Sequence, residues 1–227
     1  MRKLQLRSIL VKMIKKKKQS GRLTAEARRA QLIEVGREVF AERGYGTTSV
    51  EEIAARAKVS KPILYDHFGG KEGLHAAVVE RELEYILNSI NEAVTSGTPR
   101  ARLGQATLAY LTYVRDHPLG FAVLLRDAPQ QQRGGEMPAL MYVLADRISD
   151  IFTEQFRQAG YDPQLAPVYA HALVGMVAFV GQWWTESPEP PSVETVASHI
   201  AALAWMGLRH LPKRPDSMLP SGNMESE

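Results

Sequence analysis

Residues 47–68 read TTSVEEIAARAKVSKPILYDHF, and two short helices separated by a tight turn are written into them. Ser49-Val50-Glu51-Glu52 is a capping box, in which the Ser49 hydroxyl takes the amide of Glu52 while the Glu52 carboxylate reaches back. The helix it opens carries Val50, Ile53, Ala54 and Ala57 on its apolar side, and the small Ala54 and Ala57 let a second helix cross closely. After Lys58-Val59, Ser60 caps that second helix, Pro62 is tolerated in its first turn, and Leu64 and Phe68 are spaced to bury. Lys61, Ile63, Tyr65, Asp66 and His67 then face outward. The pattern is a helix-turn-helix, whose first element braces the second so that its N-terminal half can enter a DNA major groove. Many pairs of short amphipathic helices share this spacing. The polar and aromatic outer face, suited to base edges, thymine methyls and phosphates, is what favours nucleic acid.

Outward from this stretch the punctuation is helical throughout, with no run of alternating β-branched residues and no Asn-Gly or Asp-Gly hairpin signal. The chain reads as all-α. A helix is expected from Thr24 to Arg43, with Ile33, Gly36 and Phe40 on one stripe and Gly44 as its stop. Gly69-Gly70 ends the second short helix, and a long helix follows over 71–96. Further helices are expected at 100–116, 118–127, 137–159, 163–185 and 192–211, and the tail from Pro212 is expected to be flexible. The domain reading is therefore a basic extension over 1–23, a helix-turn-helix domain over 24–70, a larger helical domain over 71–211 and a tail over 212–227.

Charge divides the chain the same way. Residues 1–70 hold 16 Lys/Arg against 7 Asp/Glu, a net of +9, while residues 71–227 carry a net of −6. A polyanion is the expected partner of the front, with nucleic acid and anionic membrane as the candidates. The 227 residues, 44% of them hydrophobic, are enough for one or two buried cores. With no cysteine, a disulfide framework, a Cys-ligated zinc and a thiol nucleophile are excluded. No signal peptide is read at the N-terminus, since its apolar residues are broken by Lys3, Arg7, Lys12 and Lys15 to Lys18. The apolar stretch from Val168 to Trp184 falls short of a comfortable membrane span and is read as a buried packing helix.

Phe40-Ala41-Glu42-Arg43-Gly44-Tyr45, Thr47-Thr48-Ser49-Val50-Glu51-Glu52-Ile53-Ala54, Val59-Ser60-Lys61-Pro62-Ile63-Leu64-Tyr65-Asp66-His67-Phe68 and Lys71-Glu72-Gly73-Leu74 recur in order over residues 25–80. Together they resemble the TetR family of transcriptional regulators. The resemblance implies a cytoplasmic homodimer, each subunit with a three-helix DNA-binding domain and a divergent C-terminal domain that binds a small effector and dimerises. It implies phosphate contact by Thr48 and Ser49 at the start of helix two and by Lys71 at the start of helix four. It places Lys61, Pro62, Ile63, Tyr65 and His67 on the recognition helix beside Ser60 and Asp66. His67 is read equally as a reader or as a residue that only caps and packs. Lys58 stands where the family usually has glycine in the turn, so it must take the left-handed conformation, a cost a phosphate contact would offset. Asp66 repels phosphate but suits a cytosine amino group. The extension from Met1 to Leu23 is read either as a DNA-following arm or as a solvated tail, with Met13 an alternative start.

In the acidic remainder, Val168, Ala172, Gly175, Phe179 and Trp183 form one helical stripe, and Val193, Val196, Ile200, Ala204, Leu208 and Leu211 another. Two such helices per subunit would build a four-helix dimer seam; an intrachain core is the alternative. The aromatic and methionine content beyond that seam suggests an effector pocket. Its candidate lining is Tyr113, Arg115, His117, Phe121, Arg126, Met141, Tyr142 and Phe156, most of the aromatic residues being read also as core; the two arginines and the histidine are its polar points, and an arginine there either meets a carboxylate or phosphate or is, as the favoured reading, a surface or salt-bridge residue. The expected effector is thus hydrophobic or amphipathic, and the stretch from Tyr113 to Phe121 with Trp183-Trp184 resembles family members that respond to fatty acyl compounds.

The reading that results is a sequence-specific DNA-binding regulator, a repressor released from its operator by that effector, with no cofactor, no metal and no membrane partner. The rival is an enzyme with an all-helical fold and a non-contiguous catalytic site. No Gly-x-Ser-x-Gly elbow, dinucleotide loop or helical histidine pair supports it.

Overall fold

The computed structural model describes residues 23–94, 97–126 and 139–211, all of them helix or connection with no strand among them. Helices run α1 Ala25–Arg43, α2 Val50–Arg56, α3 Lys61–Phe68, α4 Lys71–Ala93, α5 Pro99–Asp116, α6 Pro118–Arg126, α7 Ala139–Ala159, α8 Ala166–Glu186 and α9 Val193–Arg209. The chain forms two compact units, one ending at Glu80 and one beginning at Arg81. The basic extension and the tail from Pro212 lie outside the described residues.

The ends of the helices follow sequence chemistry. Thr24, Ser49, Thr98 and Ser192 each accept a backbone N–H of their own helix's first turn, satisfying donors that have no intrahelical partner. Gly44 closes α1 by donating its N–H to the Phe40 carbonyl at 2.8 Å, and Gly69, left-handed at φ 72°, closes α3 on Tyr65 in the same way. The helix expected over 163–185 instead begins with a 3₁₀ turn, Pro163–Leu165, which Asp162 caps by accepting the Gln164 N–H at 2.9 Å. Two prolines, Pro163 and Pro167, lack the amides that a continuous first turn would use.

The core of the first unit is Leu32, Val39, Phe40, Ile53, Leu64, Leu74 and Val78, each wholly buried. Two glycines permit the close contacts that hold it. At Gly36 a Cβ would meet the Leu74 side chain at 3.0 Å, and at Gly73 it would stand 1.9 Å from the Phe68 carbonyl oxygen. The glycine of Lys71-Glu72-Gly73-Leu74 is therefore required by the approach of α4 to the end of α3.

In the second unit α9 packs on α5 and α8 packs on α7. Trp184 Nε1 donates to the Pro191 carbonyl at 2.8 Å and secures the loop between α8 and α9, while the Tyr161 hydroxyl donates to the Leu211 carbonyl at 3.0 Å. The reading of α8 as a buried packing helix holds for one face only. Ala166, Ala170, Val174, Val177, Gly181 and Trp184 are buried, but Val168, Ala172, Gly175, Phe179 and Trp183 are exposed, Phe179 to 75%. The stripe expected on α9 turns the other way. Val193, Val196 and Ile200 are buried, and the exposed apolar residues of α9 are Leu203 and Met206.

Candidate nucleic-acid interface and effector cavity

Two ion pairs hold α2 to the end of α1, and a third lies within α2. Arg43 meets Glu52 at 2.9 Å, and Arg56 meets Glu42 at 2.7 Å and Glu52 at 3.2 Å. The capping box is accordingly half made. Ser49 Oγ accepts the Glu52 N–H at 3.1 Å, but the Glu52 carboxylate serves the two arginines instead of reaching back. Gln31 adds a tie, donating from Nε2 to the Ala57 carbonyl at 3.3 Å.

The turn between α2 and α3 depends on Lys58, whose φ of 54° makes it the one non-glycine in the left-handed region among the described residues. Its side chain is exposed. Ser60 occupies the N-cap position of α3 with extended backbone but makes no side-chain cap bond. Pro62 has no N–H to offer, and the Ile63 N–H goes to the Ser60 carbonyl at 3.1 Å. The expected cap is thus absent, and the Ser60 hydroxyl stays on the surface.

Leu64 anchors α3 from beneath, and Phe68 is half-buried with the Arg29 guanidinium over its ring at 5.1 Å. Lys61, Pro62, Tyr65 and Asp66 are exposed together on the outer face. Tyr65, 52% exposed, stands over Gly70, where a Cβ would touch its ring at 3.3 Å. Ile63 and His67 are half-buried, so they flank this face rather than stand on it. Lys61 is paired with Glu51 of α2, and the hydrogen bond from Lys61 holds the Glu51 carboxyl below its usual range.

Two residues expected to meet phosphate are used inside the unit. Thr48 is buried, its hydroxyl donating to the Gly44 carbonyl at 2.7 Å. Lys71 is half-buried; its Nζ donates to the carbonyls of Tyr45 at 2.9 Å and Thr48 at 3.0 Å and lies 4.2 Å from the centre of the Tyr45 ring. Both side chains brace the loop between α1 and α2. The Lys71 ammonium thus supplies the donor for two carbonyls of that loop, a pairing that spacing does not reveal. Charge is also distributed more sharply than the halves suggest. Residues 23–70 carry seven Lys/Arg and seven Asp/Glu, so the whole +9 falls on residues 1–22.

In the second unit a cavity of about 100 Å³ lies among α4, α5, α7 and α8, bounded by Thr107, Tyr110, Met141, Leu144, Val174 and Val177 among others. Of the seven residues expected to line a pocket whose side chains are described, Met141 alone does so. Phe121 is one ring removed, edge-on to Tyr110 at 6.2 Å between centroids. Tyr113 is buried elsewhere, donating to Glu82 Oε2 at 2.8 Å and stacked on His117, which also meets Tyr85. Arg115 is exposed and paired with Asp116 at 2.7 Å, so it meets no ligand in the cavity. Tyr142 is exposed, and Phe156 packs among Phe152, Tyr161 and Tyr169. The Arg126 side chain lies outside the described residues.

The polar groups of the cavity are two. Thr107 Oγ1 donates to the Leu103 carbonyl at 2.8 Å, whereas Tyr110, only 3% exposed, has no hydrogen-bond partner for its hydroxyl. Burial pushes the Tyr110 phenol well above its usual range, and an unmet buried hydroxyl costs about 1–3 kcal/mol. Sequence patterning offers Tyr110 with the other middle-helix aromatic residues as pocket lining or core, and does not single it out. Among the described residues no group of three or more His, Asp or Glu side chains is placed to hold a metal.

Residues 32–78 match the sequence model described as bacterial regulatory proteins, tetR family, and residues 89–219 match the tetracyclin repressor-like C-terminal domain. The transcriptional activator FasR of Mycolicibacterium smegmatis is 28% identical over 198 residues, covering 86% of this chain and 89% of that one. The transcriptional repressor KstR2 of Mycobacterium tuberculosis is 23% identical over 190 residues, 80% and 93% of the two chains. A crystal structure of a TetR-like transcriptional regulator from Rhodococcus sp. RHA1 superposes with a TM-score of 0.67 at 30% identity, over 84% of this chain and all of that one.

Proposed function

The chain belongs to the TetR family of bacterial regulatory proteins, and from that premise we propose that it is a cytoplasmic repressor which grips a pseudo-palindromic operator as a homodimer and lets go when a small apolar ligand enters its C-terminal domain. It is a DNA-binding transcriptional regulator with a helix-turn-helix and a helical C-terminal domain. No enzymatic step enters this reading. DNA reading is assigned to residues 24–70, effector binding and dimerisation to residues 71–211.

The observation that carries the proposal is the outer face of α3, where Lys61, Pro62, Tyr65 and Asp66 are exposed together above the buried Leu64. Tyr65 and Lys61 read base edges, Asp66 favours cytosine at its position, and Ser49, Lys58 and Ser60 set the helix on the phosphates. Thr48 and Lys71 act indirectly, by fixing the loop that presents Ser49. Dimerisation uses the open stripe of α8, from Val168 through Phe179 to Trp183, with Leu203 and Met206 of α9. Segment Pro163–Glu186 is long and apolar enough to cross a membrane. Its split into one face packed within the chain and one open stripe of small and aromatic residues suits a helical seam better than lipid on all sides.

The ligand acts by binding the non-binding conformation more tightly, and a tenfold loss of operator affinity needs about 1.4 kcal/mol of such preference. Selection from randomised duplexes, followed by mobility shifts with lipophilic compounds added, tests the whole reading. Half-sites about one helical turn or a multiple apart, released by at least one compound, are expected. Equal affinity for every duplex removes the operator, and release by no compound removes the sensor.

A further inference from the structure

The DNA-facing elements of the first unit carry little positive charge to spend on phosphates. Residues 23–70 hold seven Lys/Arg against seven Asp/Glu, and Arg43 and Arg56 are engaged by Glu42 and Glu52. On the turn and the outer face of α3 the cations are Lys58 and Lys61, and Lys61 is met by Glu51 of α2. Asp66 is exposed on the same face, so these four side chains together carry no net charge. Glu51 is not placed to brace the fold. It and Lys61 are both more than half exposed, and an exposed ion pair contributes little to stability. What the pair alters is the charge and direction of the Lys61 ammonium. Lys61 opens α3, where the helix dipole disfavours a cation, while Glu51 lies in the first turn of α2, where the dipole favours an anion.

We propose that Glu51 is a positioning residue for DNA reading: it offsets the charge of the Lys61 ammonium and fixes its direction, so that Lys61 discriminates between bases instead of attracting any duplex. This rests on the reading of α3 as the recognition helix. An ammonium has three N–H donors. One goes to Glu51, and the others are left for acceptors in the major groove, where O6 and N7 of guanine are the pair that a lysine meets. A Lys61 freed from Glu51 turns to the nearest phosphate whatever the sequence, because phosphate contacts carry no base information. The loss then shows as tighter binding to the wrong duplexes, since specificity is a difference of affinities.

Glu51→Gln, Lys61→Ala and the double variant, each in the full-length chain, are compared with wild type by mobility shift across a salt series. The probes are two duplexes of equal length, one recovered by selection from a randomised pool and one of random sequence. Glu51→Gln should bind the random duplex about eightfold more tightly at about 0.1 M salt, with a salt slope steeper by about 0.9, the effect of one added phosphate contact. Its affinity for the selected duplex should rise less, and its melting temperature should match wild type. In the Lys61→Ala background the same substitution should produce only a small part of either change. Selection repeated on Glu51→Gln should flatten the base preference at the position that Lys61→Ala flattens. An unchanged salt slope and random-duplex affinity, an equal gain in the Lys61→Ala background, or a lowered melting temperature with weaker binding to both duplexes each overturns the proposal. Recovery of no preferred duplex removes the recognition-helix reading and the proposal with it; a preferred duplex that Glu51→Gln binds with unaltered selectivity removes the proposal and leaves that reading standing.

Discussion

The first unit and the second are both helical, yet candidate side chains read from sequence came together in one and scattered in the other. Lys61, Pro62, Tyr65 and Asp66 share a surface, while of the seven candidates in the second unit with described side chains one lines the cavity. The difference lies in how position is encoded. Caps at Ser49 and Gly69, the Lys58 turn and the tight contact at Gly73 fix α2, α3 and the start of α4 within some 25 residues of chain. In the second unit every helix has apolar residues at similar spacing, and which face is turned inward depends on partners far along the chain, as Tyr113 meets Glu82 and Gly104 meets Ala201.

Several variants test this contrast. The largest effect is expected from removing residues 2–22, which hold all the excess positive charge of the N-terminal part. If that charge supplies six to ten phosphate contacts, the full chain should lose about 10³–10⁵ in operator affinity between 50 and 200 mM salt, and the truncated chain only a small part of that. An unchanged salt slope would return the electrostatics to the folded, charge-balanced unit.

Phe179→Glu comes next. It puts a carboxylate in the middle of the open α8 stripe, so light scattering should show a monomer and operator affinity should fall on the order of a hundredfold as bivalent gripping is lost. A dimer that persists would move the seam elsewhere.

Within the first unit, Tyr65→Ala and Lys71→Met should separate reading from bracing. Tyr65→Ala should alter the preferred sequence and cost about 1–3 kcal/mol in operator binding, while the melting temperature stays close to wild type. Lys71→Met removes two bonds to carbonyls and a cation–π contact; it should lower stability by about 1–3 kcal/mol and weaken all duplexes alike. A Lys71 variant as stable as wild type would restore it to direct phosphate contact.

The smallest effect is expected at the turn. Lys58→Gly relieves a left-handed residue at φ 54° and should raise stability by about 0.5–1 kcal/mol in chemical denaturation. A loss instead would mean that the lysine side chain contributes more than its backbone costs.

The four-motif resemblance, the helix limits and the left-handed Lys58 were legible in the sequence because each depends on neighbours in the chain. The arginine pairs that take Glu52 from its capping box were not, nor was the use of Lys71 inside the unit: Arg43 reaches Glu52 only where α1 meets α2, and Lys71 reaches its carbonyls only where α4 meets the loop between them. Along α8 the sequence marked a stripe of Val168, Ala172, Gly175, Phe179 and Trp183, and the structure left that stripe open. Along α9 the same kind of stripe proved to be core. Periodicity states that a helix has an apolar face, not what will cover it.

Local caps, turn geometry and 3.6-residue spacing were sufficient for an all-helical chain, a helix-turn-helix and the exposure of Lys61, Tyr65 and Asp66 above a buried Leu64, though not for the half-burial of Ile63 and His67. Packing decided that Thr48 and Lys71 bond to carbonyls inside the unit, that Arg115 pairs with Asp116, and that the Tyr110 hydroxyl is buried without a hydrogen-bond partner. Those assignments depend on which donor finds which acceptor after packing, and a buried group's partners come from helices that the chain order does not place side by side.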